Sequence, residues 1–422
     1  MNNNYHDNDA ILDVNDKPKL LPWIGLSLQH MFSMFGSTVI VPLLVGLSPS
    51  IALFSSGVGT LLHILITKRQ IPAYMGSSFA FIVPMAALMK TTGYPGIAQG
   101  VVTVGIVYLI VAAIIAMIGK DWVDHLLPPI VVGPIIIVIG LSLAGSAAKD
   151  AMMNNNHYDI KFFMIALLTL FLAVFFNIYL KGFLGLIPIL LAIVCGYGVS
   201  ILAGLVDVSV IAKAPWFEMP PFEIPFVNYS FHLNVGAIIA IAPIAFVTMT
   251  EHIGHIMVLD ELTHRDYFKN PGLNRTLAGD GAASIAAGLL GGPAVTSYGE
   301  NIGVMAITKV HSVYVLIGAA IFAILFAFVN KLNVLIMQMP APVIGGISFL
   351  LFGTIAASGI KLMVEKKVDL NSKRNLMISS IILVIGVGNA YLQIGNQFQF
   401  TGLALATVIG IFLNLFLPKE NK

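Results

Sequence analysis

The sequence predicts an all-α polytopic membrane protein with 14 transmembrane segments in two groups of seven, and three observations point there. The 422-residue chain is 58% hydrophobic and only 10% charged, with a mean hydropathy of +0.92, whereas soluble domains carry about 25% charged residues. Apolar runs of about the 20 residues a span needs recur along the whole chain. With the N-terminus placed inside, the 22 basic residues divide 17 to 5 in favour of the inner loops. That is the asymmetry expected of a multi-pass protein with both termini cytoplasmic.

The first half holds apolar runs at 20–45, 51–66, 76–90, 97–118, 126–146, 160–180 and 183–205. The second holds runs at 235–259, 276–292, 299–309, 312–330, 333–358, 374–393 and 401–417. A missing or extra span would exchange the sides of every later loop and blur the charge split. Residues 1–19 form a polar, acidic tail with no basic region ahead of an apolar stretch, so no cleaved signal peptide is expected. Cys195 falls in an apolar run and is expected as a small buried residue. Residues 206–234, rich in proline and aromatics, form the long outer connection. Seven is odd, so if the halves are structural repeats they lie upside down relative to each other, the plan of many secondary transporters.

The third run of each half is short and interrupted. One is IPAYMGSSFAFIVP, with Pro72, Gly76 and Pro84; the other is GGPAVTSYGENIGVMAIT, with Pro293, Gly299 and Gly303. Each joins an extended-looking stretch of small residues to a brief helix. A kinked helix is the ordinary reading of one such segment. Two in matching positions point to a transporter's binding site, because irregular backbone survives at membrane depth only where protein or a cavity satisfies it.

Two glutamates lie in these apolar surroundings, Glu251 in the eighth run and Glu300 beside Gly299 in the tenth. An ionisable group at mid-membrane costs about 2.5–3.5 kcal/mol on insertion scales, so it is expected to face a cavity and a partner. Helices opening near Phe79 and Gly299 would present N–H groups carrying partial positive charge. With the Glu300 carboxylate these make an alternating donor–acceptor edge, complementary to a planar amide heterocycle such as a nucleobase. A fixed carboxylate would repel a simple anion. Tyr298 and Phe79 are placed to stack on a flat ligand, with Phe352 a weaker candidate.

Glu251 and His255 stand four residues apart and share a helix face. They are expected as a coupled pair that takes up and releases a proton, which favours proton over sodium coupling. His252 is expected to face away, as a packing or polar-network residue. EHIGH lacks the zinc-protease order, so no metal is expected. Gln29 and His30 in the first span serve either a helix–helix hydrogen bond or the site. Asp280 is either an interfacial charge or a third carboxylate bridging helices. The remaining histidines, His63 among them, fall at run ends or in loops and are assigned nothing. No phosphate loop, dinucleotide fingerprint or nucleophile motif is present, so an enzyme and a cofactor are not expected. Basic residues without interleaved aromatics give nucleic-acid binding no support.

At LSLQHMFSMFG, IPAYMGSSFAF, EHIGH and SYGENIGVMAITKV the chain resembles the bacterial uracil permeases of the nucleobase–cation symporter family 2, the nucleobase–ascorbate transporters. The resemblance covers residues 18–417. Glu300-Asn301-Ile302-Gly303 with Thr308 fits the family signature of an acidic or amide residue, Asn, any residue, Gly, then Thr five residues on.

The resemblance implies two inverted seven-span repeats, with short antiparallel strands in spans 3 and 10. It implies a core domain at 20–119 and 235–330 and a gate domain at 120–205 and 331–418. It implies a homodimer through the gate, in the bacterial cytoplasmic membrane. Glu251 and Glu300 are then uracil-binding carboxylates, with His255 a third contact. Phe79 and Gly299 are then backbone donors with Tyr298 nearby, and His30 supports the site. The implied activity is proton-coupled uracil uptake, in which Glu251, His255, Glu300, His30 and Asp280 handle the proton. A purine or xanthine symporter of the same family is the alternative. An anion transporter of the related fold and a base-binding receptor are more distant ones.

Overall fold

The structure, a computed structural model, describes residues 10–394, 398–400 and 402–418. The first nine residues of the tail, and Lys419 and Lys422 among the inner-loop basic residues, lie outside them. The first half forms α1 (Leu20–Val45), α2 (Pro49–Ile66), β1 (Met75–Ser77), a 3-10 turn (Phe79–Phe81), α3 (Ile82–Thr91), α4 (Tyr94–Ile118), α5 (Pro129–Ser142), α6 (Ala144–Met152), α7 (Ile160–Tyr179) and α8 (Pro188–Leu202). The second forms α9 (Val235–Ile241), α10 (Ile244–Thr263), α11 (Leu273–Leu290), β2 (Val295–Ser297), α12 (Gly299–Thr308), α13 (Val313–Ala327), α14 (Ala341–Glu365), α15 (Lys373–Val387) and α16 (Gly402–Phe416). Among the described residues, seven helical stretches are long and apolar enough to cross a membrane.

Local sequence sets the boundaries. Proline opens α2, α4, α5, α8 and α14 within their first two positions, where its missing N–H removes a donor that would have no helical partner. Gly46, at φ 89°, ends α1 and returns its N–H to the Pro42 and Leu43 carbonyls.

The helices pack as two bodies. In one, α4 and α2 lie against α11, and α1 and α2 lie against α13. In the other, α14 packs on α5, α6 and α7, and α15 packs on α16 and α5. Each body has a point where backbones touch. A Cβ at Gly105 would sit 2.4 Å from the Gly281 carbonyl oxygen, and one at Gly359 would sit 2.6 Å from that of Gly133. Close glycine contacts of this kind let helices associate through dispersion where lipid removes the hydrophobic drive.

Two details depart from the sequence reading. Cys195 is exposed on α8 rather than buried, because outward and inward faces of a membrane helix are equally apolar and composition cannot separate them. Part of the polar tail is docked: the Ile11 N–H donates to the Lys309 carbonyl at 2.8 Å, and His311 and Val313 return N–H bonds to Leu12 and Val14. Val14 is fully buried there.

Candidate substrate-binding site

β1 and β2 pair antiparallel, with Met75 opposite Ser297, Gly76 opposite Thr296 and Ser77 opposite Val295. The ladder continues at both ends: the Tyr298 N–H donates to the Tyr74 carbonyl at 2.9 Å, and the Ser78 N–H to the Ala294 carbonyl at 3.0 Å. Pairing therefore satisfies extended backbone that would otherwise be intolerable inside a membrane. The chain leaves each strand through one extended residue, Ser78 (ψ 130°) or Tyr298 (ψ 121°), and then turns helical. Neither residue supplies a side-chain cap. The N–H groups of Phe79 and Gly299 are the first donors of these helical turns and have no partner within them.

Around this pair the polar side chains form two sets. On one side, Ser37 of α1 donates to a Glu300 carboxylate oxygen at 2.6 Å. The Asn301 amide donates to the His30 carbonyl and meets His30 Nδ1, both at 3.3 Å. On the other side, Asp280 of α11 bridges His63 of α2 at 3.0 Å and His252 of α10 at 2.9 Å. His252 Nδ1 and His255 Nδ1 both reach the Ser297 hydroxyl, at 3.2 and 2.9 Å. Glu251 lies within electrostatic reach of both Glu300 and Asp280.

The structure therefore brings together Phe79, Glu251, His255, Gly299 and Glu300, all half-buried, in front of residues that are fully buried. His30 sits behind them, 1% exposed, against Asn301.

Glu251 and His255 share one helix with no hydrogen bond between them among the described residues; His255 engages Ser297. Other expectations need correction. His252 does not face away from His255. Residues three apart on a helix are neighbours, and the two converge on one hydroxyl. Of the two readings of Asp280, the structure has the carboxylate that bridges helices: it is fully buried between His63 and His252. The Tyr298 ring is not free to stack. It lies over Gly76, where a Cβ would come within 2.3 Å of it, and its hydroxyl donates to the Ser77 carbonyl at 2.9 Å. Phe352, 2% exposed, packs edge-on to Phe79, with centroids 6.2 Å apart and planes at 80°.

Sequence reasoning missed Ser37, Ser297 and His63. Serines are common in apolar segments, and nothing local marks Ser37 in α1 or Ser297 in β2. His63 carries a signal of its own, an imidazole near the end of the apolar run 51–66. A separate cavity of about 480 Å³ lies near the docked tail, lined by Asn15, Gln70, Arg265, Tyr267 and Lys269 among others, and none of the candidate residues borders it. Its basic groups are paired, Arg265 with Asp13 at 2.6 Å and Lys269 with Asp266 at 2.8 Å. The Lys269 hydrogen bond holds the Asp266 carboxyl below its usual range.

Residues 21–395 match the model of the Permease family, Xan_ur_permease. The chain belongs to this permease family. A permease is a transporter, not an enzyme. The chain is 52% identical to the uracil permease of Bacillus caldolyticus, over 97% of this chain and 95% of that one. It is 50% identical to the uracil permease of Bacillus subtilis (strain 168), over 97% and 96%. It is 43% identical to the uracil permease of Escherichia coli (strain K12), over 96% and 93%. The fold is that of the transmembrane domain of the cyanobacterial bicarbonate transporter BicA, at TM-score 0.65 and 15% identity, covering 96% of this chain and all of that one. Murine Slc26a9, an anion transporter solved in the inward-facing state, matches at TM-score 0.69 and 11% identity, over 96% of this chain and 69% of that one. The helical multi-pass architecture is thus shared with transporters whose sequences are far removed.

Proposed function

We propose that this permease takes up uracil with protons across the bacterial cytoplasmic membrane, binding the base at mid-membrane between β1, β2 and α10. One observation carries the reading. Glu300, an acceptor, stands beside the helix-opening Gly299 N–H, and the helix-opening Phe79 N–H lies on the paired arm. A uracil edge offers ring N–H groups to the carboxylate and carbonyls to the amides. The uracil permeases that resemble the chain over nearly its whole length support that choice of base.

In this reading the chain spans the membrane fourteen times as two inverted repeats, with both termini cytoplasmic. The body containing α1–α4 and α9–α13 is a core that carries the base. The body containing α5–α8 and α14–α16 is a gate through which two copies dimerise. The core moves against the gate around the bound base, giving alternating access. Glu251 and His255, with Glu300, link protonation to occupancy, supported from behind by His30 and Asp280. The proton is the coupling ion, and no cofactor is needed.

Reconstituted protein should accumulate labelled uracil against its gradient when the outside is acidified, and a protonophore should abolish that accumulation. Uptake unaffected by the protonophore would remove the coupling. Stronger competition by unlabelled xanthine than by unlabelled uracil would reassign the base to the purine class.

A further inference from the structure

Behind the half-buried residues, four fully or nearly fully buried polar groups run in series. The Asp280 carboxylate oxygens lie 3.0 Å from Nδ1 of His63 and 2.9 Å from Nδ1 of His252. His252 Nδ1 is also 3.2 Å from the Ser297 hydroxyl, and that hydroxyl is 2.9 Å from His255 Nδ1. Exposure is zero for His63, His252 and Asp280 and 1% for Ser297. The series spans α2, α11, α10 and β2. Its other titratable neighbours are Tyr108 from α4 and Glu251 from α10.

Proton bookkeeping gives the series a direction. An ionised carboxylate offers only lone pairs and would repel a bare imidazole nitrogen this close, so both Nδ1 atoms beside Asp280 carry hydrogen. His252 Nδ1 then cannot accept from Ser297. Ser297 has one hydroxyl proton, and the nitrogen left to take it is His255 Nδ1. A neutral imidazole that accepts on Nδ1 carries its own proton on Nε2. That Nε2 lies beside the start of α12, where a Cβ on Gly299 would be only 3.1 Å away. The bare glycine keeps the Nε2–H open.

We propose that Asp280, flanked by His63 and His252, acts through Ser297 to fix neutral His255 as an Nε2–H donor toward the substrate cleft. The ligand group it suits is an acceptor, such as a carbonyl oxygen of the base. His63, His252, Asp280 and Ser297 are then positioning residues for His255. This deepens the transport reading above and rests on His255 as a contact to the base.

The test is nitrogen NMR of full-length protein in nanodiscs with ¹⁵N-labelled histidine, His255 being identified by comparison with His255→Asn. Wild type should show the Nε2–H tautomer at His255. Ser297→Ala and Asp280→Asn should each shift it to a tautomer mixture and weaken labelled-uracil binding about three- to tenfold. Ser297→Thr should restore both. An Nδ1–H tautomer in wild type, or a His255 signal unmoved in both variants, overturns the proposal. A purely structural role would lower the melting temperature and leave the nitrogen signal in place. The wild-type spectrum decides even where a variant fails to fold. It is recorded without uracil, so absence of uracil binding in wild type would sink the transport reading while leaving this one tested.

Discussion

Residues 75–91 and 295–308 both pass from a three-residue strand into a short helix through one extended residue, and each strand satisfies the other. They differ in what stands at the turn. The first arm puts Phe79 there, with no ionisable group; the second puts Glu300 and Asn301 there. The supports differ as well. The second arm is tied into its own body by Ser37, Thr38 and His30 of α1. The first arm leans its aromatic ring on Phe352 of the other body. One backbone device, used twice, thus yields a charged arm tied to α1 and an apolar arm whose ring rests on the other body.

The sharpest test of that division is to disturb each arm at its tip. Glu300→Gln should cost about 2–5 kcal/mol of uracil binding, the range for losing one partner of a buried charged hydrogen bond. A ligand-dependent thermal shift would read it. Phe79→Leu keeps the backbone N–H and should cost far less. Equal losses from the two variants would mean that the arms do not divide the chemistry as described.

Next comes the support of the charged arm. Ser37→Ala removes the 2.6 Å hydrogen bond to Glu300. Hydrogen bonds to charged groups are worth about 1.5–3 kcal/mol, and part of that should be lost from binding because Glu300 is then free to turn. Ser37→Thr should recover most of it. Wild-type affinity in Ser37→Ala would show that Glu300 needs no orientation from α1.

Much of this was legible before any coordinates. The helical segments fall on the apolar runs because span length and hydropathy share one physical cause. The two broken segments stood out because Gly and Pro interrupt them in matching places. Glu251 and Glu300 stood out because carboxylates are rare in such surroundings. What stayed hidden was partner choice. EHIGH gives helical spacing, but only the approach of β2 places Ser297 between His252 and His255. His63 and Asp280 are 217 residues apart in the chain, and nothing local says that α2 and α11 bring them together. The Tyr298 ring departs from its expected place for the same reason: its direction is set by the missing side chain of Gly76 on the opposite strand.

That last contact gives a third, smaller test. A Cβ on Gly76 would overlap the Tyr298 ring at 2.3 Å. Gly76→Ala should therefore destabilise the protein by about 1–3 kcal/mol, the usual cost of overpacking. Thr296→Ala, its partner on the other strand, removes atoms and should not force the strands apart. Thermal melting without ligand measures both. If Gly76→Ala melts like wild type, the strand pair is looser than these distances require.

The smallest effect should come from the contact between the two bodies. The edge-to-face pair of Phe79 and Phe352 joins the two bodies, and such pairs contribute about 0.5–1.5 kcal/mol beyond area burial. A contact made in one conformation biases the equilibrium between conformations by its own free energy and no more. Phe352→Leu should accordingly shift apparent uracil affinity by at most about tenfold, change the exchange rate of labelled uracil in the same variant, and leave the preference among bases untouched. A change of base preference would place Phe352 at the ligand instead of at the joint between the bodies. The charged arm would then not be alone in choosing what is carried.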